Sequence, residues 1–591
     1  MTDTCTNIRR TMRNIAFALA GLLLLACGKD DIIGQEENIP ETVVAGDDTT
    51  GSNIKTDNDE DDVANSTFDR TVKVVFSNGT ATVTGTTEEL FSVSVSGGGV
   101  TITNKGDEAV IYDLSGSSSD GYFKLYSTRK QQLLLNGLNL TNTKGAAINN
   151  QSHKRTFVVV KGTNTLGDGA SYTQTPNDED EKAAFFSEGQ LVFSGDGTLT
   201  VKAIGKAGIT SDDYVRFMAS PTVKVTSSAG HGVRGKESII VSDGTIDVNV
   251  SGTGKKGFSS DTLVYFGGGV TNIATTGSAG EVDGELTGVA GIKADLRFEM
   301  VDGILNITGS GTGAKGISGD NVAYFKGGTV TVNVTGDNYG SSSGGGMGPG
   351  GRPGWPGQSS STEDNSVASK AVKFDGNMYI SGGKLTAKSS KHEAIEAKGV
   401  LVVTGGEVYA YSSDDAINAG GDLSIEGGAV FAQSTGNDGL DANGNLFIKG
   451  GVVYAVGSRS PEIAIDANSE QQKKLYLTGG TVIAIGGLES GASLSQKCWS
   501  AGTVKANTRY AMYDEKGNVL CAFKTPSSTL TLVVSAPSLD SVKSGVDVNG
   551  GTEYFGGLYT AGATVSGGSD CSLSAYSAGG GTGPGGFPGG W

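Results

Sequence analysis

The chain has 591 residues, including 95 Gly but only 11 Pro, and no Gly-X-Y period, so a collagen-like structure is excluded. Charged residues make up only 18%, which disfavours coiled coils and long solvated helices. The formal net charge of −18 repels nucleic acid, so we expect no nucleic-acid partner, while divalent cations suit clustered carboxylates. With three His in the chain, a zinc or haem site built from histidine is disfavoured.

Residues 8–27 have the layout of a bacterial lipoprotein signal. Basic residues precede an apolar run from Ile15 to Ala26, which is too short for a membrane span. The run ends in LLAC, which resembles a lipobox and implies cleavage before Cys27 and lipidation of its thiol. The following GKDD resembles a surface-export signal of some Gram-negative bacteria. We predict a signal peptide over 1–26 and an outer-membrane lipoprotein at the cell surface, held by its lipid; an ordinary secretion signal is the alternative.

The rest of the chain divides by composition. Residues 27–67 are rich in Asp and Glu without a core-forming pattern, which predicts an acidic, disordered tether. Residues 68–130 and 487–591 are β-like but do not follow the repeat described next, so we expect an N-terminal β cap and a C-terminal β cap with a Gly-rich tail. Residues 340–365 read as a Gly/Pro loop inserted in the repeat.

Residues 131–486 contain a repeat of about 22–25 residues. Gly pairs fall at 382–383, 405–406, 427–428, 450–451 and 479–480, each followed by a short apolar-alternating segment. Three short strands and Gly turns in such a period fit one coil of a parallel β-helix. We therefore predict an all-β fold, a right-handed parallel β-helix of about 14 to 15 coils.

Alternation after each Gly pair predicts which side chains enter the core. The second and fourth residues are constant and apolar, as in Val408/Ala410 and Val430/Ala432, whereas the first, third and fifth vary. A period of two places the constant set inside and the variable set outside. Counterparts in neighbouring coils then stack at about 4.8 Å.

Two outward columns become acidic in the last coils. One column contains His231, Lys256, Lys315 and Lys370 and then turns acidic, and a second starts at Lys373. Stacked like charges repel, and a hard cation such as Ca²⁺ relieves that repulsion better than Mg²⁺, which demands stricter geometry. A solvated acidic edge is the alternative, and the sequence does not separate a structural calcium from one that bridges to sugar. The candidate metal ligands are Glu393, Glu396, Asp414, Asp415, Asn418, Asn437, Asp438, Asp441 and Asn443.

Carbohydrate contacts are expected from aromatic and basic columns. Tyr409, Phe431 and Tyr454 stand at outward third positions, and Tyr411 at a fifth position, so their rings could stack on pyranose faces. The alternative is that a cap, the 340–365 loop or a second molecule covers them. Lysines of the basic column could bind uronate carboxylates, or form a solvated positive face. These lysines are Lys256, Lys315 and Lys370.

The segments LLLNGLNLTNTKGAAINN (133–150), KAAFFSEGQLVFSGDGTLTV (182–201), GHGVRGKESIIVSDGTI (230–246), SSDDAINA and GNDGLDANG resemble the bacterial cell-surface carbohydrate-binding β-helix family, defined on a clostridial protein that binds cellulose and pectin-type sugars. The family is similar in fold to calcium-dependent polysaccharide lyases. The resemblance, over about residues 68–570, implies a right-handed β-helix, bound calcium and polysaccharide binding without established catalysis.

The resulting hypothesis is a surface-anchored, non-catalytic, calcium-binding and polysaccharide-binding protein, for plant-type or acidic glycans, and a monomer. One alternative is a calcium-dependent lyase acting on uronate-containing glycans, in which Lys370, next to the acidic edge, would be the base. Another is a structural or adhesive surface rod with a protein partner. Cys498, Cys521 and Cys571 allow one disulfide, without indicating which pair.

Overall fold

A computed structural model describes residues 55–173, 179–340, 366–560 and 562–578 of the chain. These residues belong to one compact unit. The predicted signal peptide, Cys27, the tether up to residue 54, the Gly/Pro loop from 341 to 365 and the tail from 579 lie outside them. Within the described ranges the helices are short 3-10 turns, and none has the length and hydropathy of a membrane span. Their bounds are Asp59–Asp61, Val63–Asn65, Ser469–Gln471 and Phe555–Gly557.

The strands wind into a β-solenoid of about 14 turns, which confirms the predicted all-β parallel coil. Each coil contributes one strand to each of three sides, which we call face 1, face 2 and face 3. Face 1 is a 15-stranded sheet that is parallel throughout except for its first pair. Its strands are Phe91–Ser96, Gly99–Asn104, Phe123–Tyr126, Ile148–Asn150, Ala183–Ser187, Ala207–Ser211, Val233–Gly235, Lys256–Ser260, Val289–Ala294, Ala314–Gly319, Lys370–Phe374, Ile395–Ala397, Ile417–Ala419, Leu440–Ala442 and Ile465–Ala467.

Face 2 follows face 1 in each coil and is also built by parallel pairing. Its strands are Thr156–Lys161, Leu191–Gly195, Tyr214–Phe217, Ser238–Val241, Val322–Phe325, Met378–Ile380, Leu401–Val403, Leu423–Ile425, Leu446–Ile448, Leu475–Leu477 and Ser493–Leu494. Five longer strands continue without a break from face 2 into face 3. They are Arg70–Ser77, Val110–Ser118, Gln131–Thr141, Leu263–Thr275 and Arg297–Gly309.

Face 3 completes each coil. Its remaining strands are Thr163–Gly167, Thr198–Ala203, Thr222–Ser227, Thr245–Val250, Thr329–Val334, Lys384–Ser389, Glu407–Ser412, Ala429–Ser434, Val452–Val456 and Thr481–Ile485. One hairpin, Gly280–Val282 with Glu285–Thr287, projects from the coil that joins faces 3 and 1 after Leu263–Thr275.

The interior is a continuous apolar core in which equivalent residues stack. Val408 and Ala410 pair in register with Val430 and Ala432, and all four are fully buried, as the alternation predicts. Larger side chains stack in the same way elsewhere: the ring centroids of Phe193 and Phe217 lie 5.2 Å apart. Burial of these columns along the whole stack is the main hydrophobic contribution to stability.

The Gly pairs form the turns between faces 2 and 3. In the pair 427–428, Gly428 has a φ of +79°, which L-residues rarely adopt. A Cβ atom on Gly428 would lie 2.6 Å from the carbonyl oxygen of Gly406 in the preceding coil. The turn therefore needs Gly for its dihedral angle and also for the close stacking of successive coils.

The last residues of the segment predicted as a disordered tether are folded. Residues 59–65 form two 3-10 turns, and Asp61, only 2% exposed, pairs with Arg155 Nε at 2.8 Å and Arg216 Nη1 at 3.0 Å. Phe68 packs edge-on against Phe157 at 6.1 Å. This segment thus covers part of face 2, because Asp61 pairs with two arginines of that face. The amino-acid composition alone does not predict this pairing.

The N-terminal cap is shorter than the sequence predicts. Arg70–Ser77 forms an antiparallel hairpin with Thr80–Thr84, and Phe91–Ser96 forms another with Gly99–Asn104. Parallel stacking already begins inside this segment rather than at residue 131: Arg70–Ser77 pairs with Val110–Ser118, and on face 1 Gly99–Asn104 pairs with Phe123–Tyr126.

The C-terminal cap is antiparallel and folds over face 3. Its strands are Cys498–Thr503, Arg509–Asp514, Val519–Lys524, Thr531–Ser535, Leu539–Asn549, Thr564–Asp570 and Ser574–Ala575. Cys498, Cys521 and Cys571 are all unpaired in the structure, so it contains none of the disulfides that the sequence allows.

The cap covers the predicted aromatic strip. Phe431 and Tyr454 do leave the main core, as predicted, and their rings stack at 4.4 Å. They are nevertheless only 3% and 1% exposed, because Phe523 packs on Tyr454 and the backbone oxygen of Lys524 accepts a hydrogen bond from the Tyr454 hydroxyl at 2.8 Å. The expectation that Phe431 and Tyr454 stack on sugar is therefore wrong for this structure. These two side chains point away from the main core, but the C-terminal cap packs on them.

We expect Gly428→Ala to lower the free energy of unfolding by more than about 2 kcal/mol, since it combines an unfavourable φ with a backbone clash. Gly517→Ala is the matched control, because Gly517 has a φ of +78° but a Cβ atom added there would meet no atom within 4 Å. It should cost only about 1 kcal/mol. Equal losses in urea denaturation would show that coil-to-coil packing does not constrain Gly428.

We expect Phe431→Ala to destabilise the cap by about 3–5 kcal/mol, because it removes a buried ring between the coil stack and the cap. Tyr411→Ala, which alters a half-buried ring two positions along on the neighbouring strand, is the control and should cost much less. Limited proteolysis and thermal melting would measure both. Similar behaviour of the two variants would contradict the proposed role of Phe431 in holding the cap.

Candidate functional site

The predicted charged columns lie on face 1. Lys373, Glu396, Asn418 and Asp441 pair in register on four successive strands, in the predicted order. The register continues to Asp466, one coil further, which the sequence repeat did not reveal. Since these strands are parallel, the five side chains lie on the same side of the stack, with about 4.8 Å between neighbours.

The column that contains Lys370, Glu393, Asp415 and Asp438 runs beside the column that starts at Lys373. The backbone of Asp415 accepts a hydrogen bond from Ala394, and that of Asp438 accepts one from Ala416, which places Glu393, Asp415 and Asp438 on adjacent coils. Their side chains also join coils. Asp415 Oδ1 accepts the N–H of Asp438 at 3.1 Å, and Asp438 Oδ1 accepts the N–H of Ile463 at 2.6 Å.

Lys370 neutralises the first two predicted ligands. Its Nζ lies 2.9 Å from Glu393 Oε2 and 2.6 Å from Glu396 Oε2, and all three residues are buried. Burial alone would lower the pKa of Lys370, but the two carboxylates raise it above its usual value. Glu393 and Glu396 are therefore partners of a lysine, and a lysine held in its charged form is a poor general base.

His392 provides a second cation at this end of the column. Its Nδ1 lies 2.9 Å from Asp414 Oδ2 and also contacts Glu393. The hydrogen bonds to Asp414 and Glu393 raise the pKa of His392 to about 9, so the ring is protonated at neutral pH. A protonated ring cannot ligate a metal, although the ligand atoms of the three residues lie within 4.8 Å of one another.

Asn437 and Asn443 differ in their surroundings. Asn437 Nδ2 donates to Asp414 Oδ1 at 3.0 Å, so this amide supports the His392 group. Asn443 is exposed in the turn after Leu440–Ala442. Neither residue belongs to the next group of acids along face 1.

That next group is a cluster of acids, which we call the acidic cluster: Asp415, Asp438, Asp441, Asp466 and Glu489. Carboxylate oxygens of Asp438, Asp441 and Asp466 lie within 4.8 Å of one another. Asn418 donates to Asp441 and, at 3.4 Å, to Asp415 Oδ2. The carboxyl group of Glu489 adjoins that of Asp466.

The acidic cluster has perturbed pKa values. Burial first, and neighbouring carboxylates second, raise the pKa of Asp415 to about 8; burial and the adjacent acids raise that of Asp438 to about 7 and that of Asp441 to about 6. Burial and Glu489 also raise the pKa of Asp466. Among the described residues, no Lys, Arg or His forms an ion pair with these four aspartates, in contrast to Glu393 and Glu396.

The donor set of the acidic cluster fits a hard cation. Three aspartates supply carboxylate oxygens from adjacent coils, and Asn418 can add an amide oxygen. Calcium accepts six to eight such ligands in flexible geometry. Bound calcium would offset the repulsion between the carboxylates.

Sequence comparison within the chain could have found Asp466. The segment IDA at 465–467 matches LDA at 440–442. The step between these segments is longer than between the preceding coils, which obscures the match. Glu489 has no such signal, because it lies beyond the last Gly pair.

The basic column is in register but contains an interruption. Lys256 pairs with Ala290, Ala290 with Lys315, and Lys315 with Lys370. Burial first, and nearby lysines second, lower the pKa values of Lys256 and Lys315 to about 8. Lys370 is thus set apart from the other two by its glutamate partners.

Tyr409 and Tyr411 complete the predicted contacts. Tyr409 is half-buried, with its ring centroid 5.0 Å from those of Phe431 and Phe555, so it belongs to the cap contact. Tyr411 is half-buried outside that contact.

The chain is similar to known proteins of one family. A family model described as carbohydrate-binding domain-containing protein matches residues 96–416, more than half of the chain. A carbohydrate-binding domain-containing protein of Acetivibrio thermocellus is 32% identical over 165 residues, 27% of this chain and 55% of the relative. The chain thus spans about half the length of that curated relative.

A solved structure is also similar: the polysaccharide lyase-like protein from C. thermocellum, a gadolinium derivative. It is 22% identical, with a TM-score of 0.33, over 45% of this chain and 99% of that one. On the extent of the family-model match, the chain belongs to the family of carbohydrate-binding domain-containing proteins.

Proposed function

We propose that this protein binds polysaccharide along face 1 without cleaving it, and that calcium in the acidic cluster supports that binding. The observation that carries the proposal is that two polar pockets and the acidic cluster lie on the same face of the solenoid. The family match covers the coils from 96 to 416, and face 1 carries two pockets and the acidic cluster within one sheet. Parts of faces 2 and 3 are occupied by the chain's own N-terminal segment and C-terminal cap.

A pocket in the first coils supports sugar binding. It has a volume of about 260 Å³, near the size that a small ligand requires. The half-buried rings of Tyr122 and Tyr126 line it together with Lys124, Asn149 and Thr101. Flat rings beside amide, hydroxyl and ammonium groups can contact the C–H face of a pyranose and hydrogen-bond its hydroxyls.

Calcium enters the proposal through the acidic cluster alone. Asp438, Asp441 and Asp466 would hold it, with Asn418 as a further oxygen donor. When bound, the cation neutralises the cluster and can attract carboxylates of a glycan. Glu393 and Glu396 are not included, because Lys370 occupies them.

Anchoring at the cell surface is part of the same proposal. The basic, apolar and LLAC segments that end at Cys27 support lipidation of this residue. A binding protein held by a lipid would present its solenoid faces to extracellular polymers. We propose that the partners are polysaccharide and, through the lipid alone, the membrane.

The central test measures migration of the protein in gels that contain a neutral glucan, a polyuronate or no polymer, in calcium and in chelator. We expect polysaccharide to retard the protein more in calcium than in chelator. Absence of retardation by any polymer would contradict the proposed function. Release of unsaturated uronate, detected by its ultraviolet absorbance, would contradict the non-catalytic part.

The calcium site is tested by Asp441→Asn with Asp466→Asn. In chelator the double variant should melt at a higher temperature than the natural protein, because it loses two half-buried carboxyl groups whose raised pKa values lower the stability of the fold at neutral pH. Calcium at 100 times its Kd should raise the free energy of unfolding of the natural protein by about 2.7 kcal/mol. The same calcium concentration should leave the free energy of unfolding of the double variant unchanged. Asp261→Asn is the control, since Arg234 Nη2 pairs with Asp261 at 2.8 Å and, among the described residues, Asp261 lies in none of the acid groups that could hold a metal ion. A calcium response retained by the double variant would exclude the acidic cluster.

Lipid attachment is tested by growing cells with labelled palmitate. Full-length protein should incorporate the label, and Cys27→Ser should not, with Cys5→Ser as the matched control that retains it. Labelled Cys27→Ser protein would contradict anchoring at this residue.

A further inference from the structure

A second pocket of about 300 Å³ opens on face 1 at a distance from the acidic cluster. Strands Lys256–Ser260, Val289–Ala294 and Ala314–Gly319 form its floor. Lysine side chains from successive coils surround it, and we call it the lysine pocket. Its lysines are Lys256, Lys293, Lys315 and Lys373.

The hollow exists because the basic column is interrupted. Lys256 and Lys315 occupy equivalent positions two coils apart, about 9.6 Å at the usual strand spacing. The residue between them in register is Ala290, which carries only a methyl group. A long side chain at that position would fill the space between the two lysines.

One wall comes from the projecting hairpin. Leu286, Thr287 and Gly288 at its end line the pocket. A Cβ atom on Gly288 would lie 3.5 Å from Lys315 Nζ, so the hairpin closely approaches that ammonium group. The inserted hairpin therefore encloses the lysines on one side and buries them partly.

Two of the four lysines have no carboxylate partner among the described residues. Lys293 pairs with Asp295 and Asp320, and Lys373 pairs with Asp375. By contrast, Lys256 Nζ donates to the backbone oxygen of Gly254 at 2.7 Å, and Lys315 forms no ion pair. Partly buried ammonium groups without a counter-charge are favourable places for an anion.

We propose that the lysine pocket binds an anionic substituent of a polysaccharide, a carboxylate or a sulfate ester, between Lys256 and Lys315 above Ala290. This inference rests on the proposed function and names the chemistry that one of its sites selects. The pocket volume suits a single sugar unit, and its opening on face 1 leaves room for the polymer to continue. Selection here is independent of calcium, because cationic side chains supply the charge.

Two variants test the proposal, with Lys236→Met, an exposed lysine that does not line the pocket, as the control. Lys256→Met with Lys315→Met removes the charges. Ala290→Leu fills the hollow and keeps both lysines. Each protein is titrated in chelator with a polyuronate, a sulfated polysaccharide and a neutral glucan.

We expect both pocket variants to bind the better anionic polymer roughly tenfold more weakly than the natural protein, and the neutral glucan equally well. Comparison of the two anionic polymers distinguishes carboxylate from sulfate ester. If the natural protein binds an anionic polymer and Ala290→Leu binds it equally well, the lysine pocket is overturned while the proposed function stands. If the natural protein binds none of the three polymers in chelator or in calcium, the proposed function fails as well.

Discussion

Stacking of equivalent residues in register is the constraint on which the structure depends. Every coil repeats its neighbour at about 4.8 Å, so each position in the repeat becomes a column. An apolar column such as Val408 on Val430 adds favourable contacts with every coil. A charged column adds repulsion in the same way, and the protein has to relieve it by other means.

Face 1 shows several ways of relieving that repulsion. Ala290 separates Lys256 from Lys315, so the like charges are two coils apart. Lys370 adjoins Glu393 and Glu396, so opposite charges meet where the column changes sign. In the acidic cluster neither solution is present among the described residues, and the carboxylates meet one another. On our proposals, the ligand that each place would bind therefore differs along one face, a cation at the acidic cluster and an anion at the lysine pocket.

Local sequence determines much of this architecture. The Gly pairs and the alternation of apolar residues predict the coil, the inward side chains and the column that joins Glu396, Asn418 and Asp441, because these are short-range features that recur. The contacts of the cap with Phe431 and Tyr454 could not be predicted in this way, since a column that leaves the core looks the same whether solvent or another part of the chain covers it. The pairing of Lys370 with two glutamates depends on the direction in which its long side chain extends across the coils. Comparison of the repeats does not show that direction. Asp466 was missed because a longer connection, which contains Pro461, shifts the coil out of the regular step.

Anomalous X-ray diffraction from crystals grown with calcium tests the central claim most directly, because it locates the cation without reference to affinity or stability. Our account predicts a calcium peak within about 2.3–2.6 Å of carboxylate oxygens of Asp438, Asp441 and Asp466. Peaks confined to other parts of the protein, or acids of face 1 without a peak at saturating calcium, would contradict it.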